Sequence, residues 1–163
     1  MTFEELKQRT MRSPDKIDLP KRTEYLGTFS WLKAIKEFVG QEIIFALDEA
    51  FMCRDHYLGS GDEYLVWVYG DESLCKYNGI VVLDNNIDSN DVEERCGLLF
   101  TNFYRTLNDA FANEDTLYME GTTVALSHYY FTHNESFEGL SVAPEHHEKF
   151  EKYKIYAMEY YDS

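Results

Sequence analysis

Apolar side chains recur every three or four residues along positions 90–112: Val92, Cys96, Leu99, Phe103, Leu107 and Phe111. That spacing lines one face of an α-helix and predicts a long core helix that needs a sheet to pack on. Asn90 is placed to cap it, and Glu93 to reach back in a capping box. Asp91, Glu93 and Glu94 fall where the helix dipole favours negative charge. Gly97 within the pattern costs roughly 1 kcal/mol against Ala and lets a neighbour approach closely.

The pattern before this stretch predicts shorter elements. Thr2 and Glu5 form a capping box for a helix through about Arg12. Positions 13–27 hold two of the three prolines and several charges, and read as an extended connector. Its neighbourhood carries Arg12, Lys16, Lys21 and Arg22, which are expected to lie on the acidic remainder of the chain. Ser30 can cap a second helix that buries Trp31, Ile35 and Phe38 and ends at Gly40. The apolar run 43–47 suits a buried strand, extended by Phe51 and Met52 past a bulge. Positions 56–63 are loop by composition, 63–70 a strand of aromatic and β-branched residues, and 80–83 another strand after a tight Asn78-Gly79 turn or bulge.

Beyond the core helix, 117–120 and 123–133 flank Gly121 and predict a hairpin with one long strand. Pro144 starts a short helix, and 154–161 closes as a strand or as an extension of that helix, with the strand preferred. The sum is an α+β single domain, with an antiparallel sheet packed against one long central helix and short N-terminal helices. Residues 1–28 form the N-terminal helix and connector, and residues 29–163 an acidic body.

Charge changes this picture most. The 163 residues carry 30 Asp and Glu against 15 Lys and Arg, a net charge of −15. Residues 1–40 sum to +2 and residues 41–163 to −17, and no Lys or Arg occurs between Arg105 and Lys149. Such a field repels nucleic acid and anionic membrane and attracts basic surfaces. No direct nucleic-acid or membrane contact is expected. Aromatic residues make up 16% of the chain, with 13 Tyr. That exceeds what a core of this size uses, so some rings face solvent or a partner. Cys53, Cys75 and Cys96 are odd in number and lack a CxxC pair, which suits free thiols in a reducing compartment. The charged start has no apolar signal region and no run is long enough to span a membrane, so a cytoplasmic protein is expected.

Candidate chemistry is weak by comparison. Asp84, Asn86, Asp88 and Asn90 fall at the spacing of a calcium loop, but Ser89 replaces its glycine and Arg95 its bidentate glutamate. A capping loop explains these residues as well. His56, His128, His133, His146 and His147 show no HExxH spacing. Cys53 with His56 is the only local thiol and imidazole pairing, and it lacks a flanking signature. Gly59-Ser60-Gly61 has no lysine behind it and acids after it, which is wrong for a phosphate loop, and no GxSxG elbow occurs. No metal and no cofactor is predicted.

The inverse of nucleic-acid binding fits better. Duplex DNA shows one charge per ~1.7 Å of axis, so fifteen net charges match roughly 25 Å of duplex, about the span of a small domain. The sequence therefore predicts a non-enzymatic acidic binding protein that inhibits a basic partner, such as a nuclease toxin or a nucleic-acid-handling defence enzyme. Asp84, Asp88, Asp91, Glu93, Glu94, Asp109, Glu114, Asp115, Tyr118 and Glu120 are the predicted partner-binding residues. In size and charge the chain resembles immunity proteins and phage-encoded anti-defence proteins as a type, without a shared motif. The alternatives are a small metal-assisted hydrolase using His56, His128 and His133, and a structural subunit that forms a homodimer through the long hairpin strand.

Overall fold

The computed structural model describes residues 2–54, 65–117 and 119–160. In chain order its elements are α1 (Phe3–Thr10), β1 (Ile17–Asp18), α2 (Thr28–Val39), β2 (Ile43–Phe45), α3 (Asp48–Met52), β3 (Val66–Gly70), β4 (Tyr77–Asn78), β5 (Ile80–Val82), β6 (Val92–Arg95), β7 (Leu98–Thr101), α4 (Phe103–Ala112), α5 (Glu120–Thr132) and α6 (His147–Glu159). Short 3₁₀ turns lie at Arg22–Glu24, Glu72–Lys76, Ser89–Asp91 and Pro144–His146.

Five strands form one sheet in the order β5-β3-β2-β7-β6, and β1 pairs separately with β4. The α+β class holds, but the sheet is mixed where an antiparallel one was expected. β2 runs parallel to β7 and β3 parallel to β5, while β2–β3 and β6–β7 are antiparallel.

Alternation along the strands sorts the core into two clusters. Phe45, Val68, Val82 and Phe100 point to one side, against Trp31, Leu32, Ile35 and Val39 of α2. Trp67, Tyr69 and Val81 point to the other, where Phe51, Leu107, Phe111, Leu126 and Phe150 bring in α3 to α6. Successive side chains of a strand face opposite ways, so a continuous apolar run such as 66–69 serves both clusters at once.

The predicted long helix over 90–112 is divided. Its first half is the β6–β7 hairpin, in which Glu94 faces Leu99 and Arg95 faces Leu98. The turn is Cys96-Gly97, with both residues at positive φ (54° and 77°), the conformation that joins strands through a two-residue loop. The helical spacing of Val92, Cys96 and Leu99 is coincidental. Leu98 and Phe100 are fully buried on the α2 side, and parallel pairing of β7 with β2 outweighs any local helical preference. Helix starts only at Phe103, capped by Asn102, whose Oδ1 accepts from the Arg105 amide at 2.8 Å. The longest helices are α5 and α6, with 13 residues each.

Three further expectations are corrected. The predicted hairpin over 117–133 is α5, with Gly121 buried in its first turn. Val124, Ala125, Leu126 and Ser127 are all buried, so neither helical nor strand periodicity stands out there. Residues 154–159 continue α6 and form no strand. Phe51 lies in α3, not in a strand extension. The α2 boundary also differs: Gly27 is its N-cap, Ser30 lies inside it, and Phe38 is exposed while Leu32 and Val39 are buried. The Thr2–Glu5 capping box and the Gly40 stop, at φ 66°, are as predicted. Positions 63–64 of the predicted strand and the 56–63 loop lie outside the described residues.

Cys96 is exposed and holds a left-handed conformation that asparagine adopts more readily. Cys96→Asn, which creates the Asn-Gly pair preferred in such turns, is expected to stabilise the fold by about 0.5–1 kcal/mol. An unchanged or lower urea midpoint would contradict this account of the turn.

Candidate functional site

The most tightly connected polar group lies beneath α4. Arg105, in the first turn of that helix, reaches three partners. Its Nε donates to Asp109 Oδ1 at 3.0 Å, its Nη2 to the Tyr69 hydroxyl at 2.8 Å, and its Nη1 to Asp91 Oδ2 at 3.2 Å. The Tyr69 hydroxyl in turn donates to Asp109 Oδ1 at 2.7 Å. Arg105 and Asp109 face each other because they are one helical turn apart. Tyr69 reaches them because its position in β3 points to the helix side.

Asp109 is 2% exposed, and its Oδ2 has no hydrogen-bond partner. Burial pushes its carboxyl above the ordinary range; the bonds from Tyr69 and the Arg105 charge only partly offset this. The Tyr69 hydroxyl is also held well above its usual value, by burial and then by the Asp109 charge. This group is a clamp between α4, β3 and the turn before β6. Asp109, expected from the sequence among the partner-binding residues, is thus placed in the interior of the fold.

The predicted acidic residues of 84–94 divide by position. Asp91 is taken by Arg105, and Glu93 by Arg54 at 2.8 Å and Arg95 at 3.5 Å. Asp88 caps the 3₁₀ turn, accepting from the Asn90 amide at 2.9 Å, while Asp91 completes the capping box. These are the capping roles that the sequence offered as the alternative to a calcium loop. Asp84, Asp88 and Glu94 are exposed, with Glu94 on β6, the edge strand of the sheet.

The second predicted cluster lies around the α4–α5 connection. Glu114 pairs with Lys152 of α6 at 3.4 Å, and burial together with Glu114 pushes the Tyr153 hydroxyl up to about 12. Asp115 and Glu120 are exposed. Tyr118 lies outside the described residues, as does His56.

Among the described residues, no three His, Cys, Asp or Glu side chains converge as a metal site requires. His133 stacks on Tyr129 at 3.7 Å, and His146 lies against Phe111 and Glu145. Among the same residues no helix is long and apolar enough to cross a membrane.

Taken as layers, the helices α4 to α6 and their connections carry ten carboxylates against four cations. All four cations are engaged internally. Arg105 sits in the clamp, Lys149 donates to the Phe111 carbonyl at 2.8 Å, Lys152 meets Glu114, and Lys154 meets Glu151 at 2.8 Å. Asp115, Glu120, Glu135, Glu138 and Glu148 are exposed and in no ion pair among the described residues. Tyr104, Phe131 and Tyr156, one on each of the three helices, are about half exposed.

The α2 side differs in sign. Among the described residues, Arg12, Lys16, Lys21 and Arg22 form no ion pair with the acidic body, contrary to expectation. Arg12, Lys21 and Arg22 instead line a cavity beside Trp31. Periodicity could not have found it, because its residues come from the irregular connector. Asn78, a buried amide between Tyr77 and Ile80, was the one sequence signal: a polar side chain inside an apolar stretch needs partners, and the connector supplies them.

Comparison with protein-family models, with curated proteins and with solved structures finds no match to this chain.

Proposed function

We propose that this protein is an acidic binding protein that occludes a basic partner, of the kind presented by a nuclease or another nucleic-acid-handling enzyme. One observation carries the reading: Asp115, Glu120, Glu135, Glu138 and Glu148 of the α4–α6 layer are exposed and in no ion pair among the described residues, while each cation of that layer has a partner within the chain. Negative charge on that face is left uncompensated, at a Debye length of about 8 Å in physiological salt. Neighbouring carboxylates within the patch therefore act together on an approaching surface, while charge farther off is screened. Tyr104, Phe131 and Tyr156 supply aromatic area on the same layer, the residue type that dominates affinity once a patch is desolvated. Carboxylates would set the rate of encounter and the rings the lifetime of the complex.

Of the residues read from sequence, Asp84, Asp88, Glu94, Asp115 and Glu120 are exposed and are the surface candidates of this proposal, while Asp91, Glu93 and Glu114 are partly exposed and hold ion pairs within the chain.

The test is kinetic. The binding partner is isolated by affinity capture from the source cell, and association is measured with Asp115→Lys/Glu120→Lys and with Glu94→Lys. Electrostatic steering changes on-rates by about 10–10³. At low salt at least one variant should associate roughly tenfold more slowly, with the gap closing as salt rises. A partner without a basic surface, or equal association rates for all three proteins at low salt, would refute the proposal.

A further inference from the structure

The connector between α1 and α2 leaves a cavity of about 320 Å³ on the α2 side of the sheet. Four charged side chains line it: Arg12, Lys21, Arg22 and Asp18. Leu19, Trp31 and Val66 add apolar wall.

The cavity is held open by specific bonds. Asn78 Nδ2 donates to the Ser13 carbonyl at 3.1 Å and to Asp18 Oδ1 at 2.8 Å, and its Oδ1 accepts from the Ser13 amide at 3.0 Å. Trp31 Nε1 donates to the Pro20 carbonyl at 2.8 Å. The parallel pairing of Ile17 with Tyr77 and Asp18 with Asn78 fixes the register. A site built this way needs little reorganisation on binding.

Its charges are not neutralised from within. Arg22 lies over the Trp31 ring at 5.7 Å and donates one bond, from Nη2 to Thr28 Oγ1 at 3.1 Å. Arg12 and Lys21 are exposed and have no ion-pair partner among the described residues. Three cations and one carboxylate give the cavity a local charge of +2, in a chain whose net charge is −15. Carboxylates are abundant elsewhere, yet only Asp18 lines it, and it is already bonded to Asn78.

We propose that this cavity binds a small phosphomonoester with a compact apolar body. A phosphomonoester carries about −1.5 to −2 at neutral pH, which matches the local charge, whereas a monocarboxylate leaves a surplus cation. Two guanidinium groups suit its tetrahedral oxygens, because each can donate two parallel bonds. The apolar wall takes the body of the ligand. The volume lies at the low end of the ~300–1,000 Å³ typical of small-molecule sites, which favours a ligand near phenyl phosphate in size. Remote carboxylates do not prevent binding, since charges beyond about 8 Å are screened at physiological salt while the lining cations touch the anion. The site lies across the sheet from the acidic helices and does not depend on the docking function proposed above.

Phenyl phosphate titrated calorimetrically into the full chain at physiological salt should bind one to one. Benzoate lacks the second charge and inorganic phosphate lacks the apolar body, and each should bind at least about tenfold more weakly. R12A/K21A removes two exposed, unpartnered side chains and should keep the far-UV spectrum while weakening phenyl phosphate by at least about tenfold. The proposal is overturned by no binding of phenyl phosphate, by equal affinity for benzoate or inorganic phosphate, or by unchanged affinity in R12A/K21A.

Discussion

Arg105→Ala should lower the unfolding free energy by about 3–5 kcal/mol at neutral pH, the range seen when one partner of a buried charge pair is removed. The Arg105 side chain is 15% exposed and that of Asp109 3%, so solvent cannot replace the lost donors. The substitution leaves the Asp109 carboxyl buried, with Tyr69 as its only hydrogen-bond donor among the described residues. The effect should depend on pH in a defined direction. Burial already raises the folded-state pKa of Asp109 above its unfolded value. The folded protein therefore binds more protons than the unfolded chain between those two values, and stability from this group falls as pH rises through them. Arg105 is one of the influences that lower the Asp109 pKa, so its loss raises that pKa further and widens the window. Urea unfolding of the wild type and R105A should thus show the largest gap at pH 7 and a smaller one at pH 4, since protonation on the acid side removes the buried charge. A gap that is constant across this range, or below about 1 kcal/mol at pH 7, would mean that the clamp is not the source of stability assigned to it.

The same clamp shows what the sequence could and could not disclose. Asp109 stands at helical spacing from Arg105, and an i,i+4 pair is readable in any sequence. That Tyr69 joins them depends on the packing of α4 over the sheet, to which no local pattern points. Elements whose signals are local were legible: the Thr2–Glu5 capping box, the Gly40 stop, and the apolar strands around Phe45, Val68 and Val81. Elements decided by tertiary partners were not. Residues 92–101 satisfy a helical spacing and a strand alternation equally, and the edge of β2 decides between them. Residues 124–127 carry apolar or small side chains at four successive positions, because that part of α5 packs on α6 and on the helix-side core cluster at once. Charge behaved differently from pattern. The imbalance between the two parts of the chain was visible as a sum, but its layering required the sheet that separates α2 from α4 to α6. The sum was also blind to pairing, which buries Asp109 and gives Asp91, Glu93 and Glu114 cations within the chain, while Asp115 and Glu120 stay exposed.

The second large effect is expected at Phe111, the last residue of the apolar series that first marked this region. Its side chain is fully buried, with ring centroids 5.8 Å from Tyr153, 6.1 Å from Phe150 and 6.4 Å from His146. Phe111 is thus the residue through which α4 holds α6. Lys149 strengthens the same junction, since its ammonium donates to the Phe111 carbonyl near the negative end of the α4 dipole. Phe111→Ala removes the ring and leaves a cavity between two helices that cannot collapse without moving α6. A loss of about 3–5 kcal/mol is expected, which for a chain of this length corresponds to a fall of roughly 10 °C in Tm. Phe111→Leu keeps most of the volume and should cost distinctly less. The pairing of Lys152 with Glu114 also spans α6 and the end of α4, so a displaced α6 would release that carboxylate to solvent. The alanine variant should therefore show faster amide exchange along α6 than along α2, which packs on the other side of the sheet. Equal exchange in the two helices, or a thermal shift no greater than that of Phe111→Leu, would show that α6 is held by contacts other than this ring.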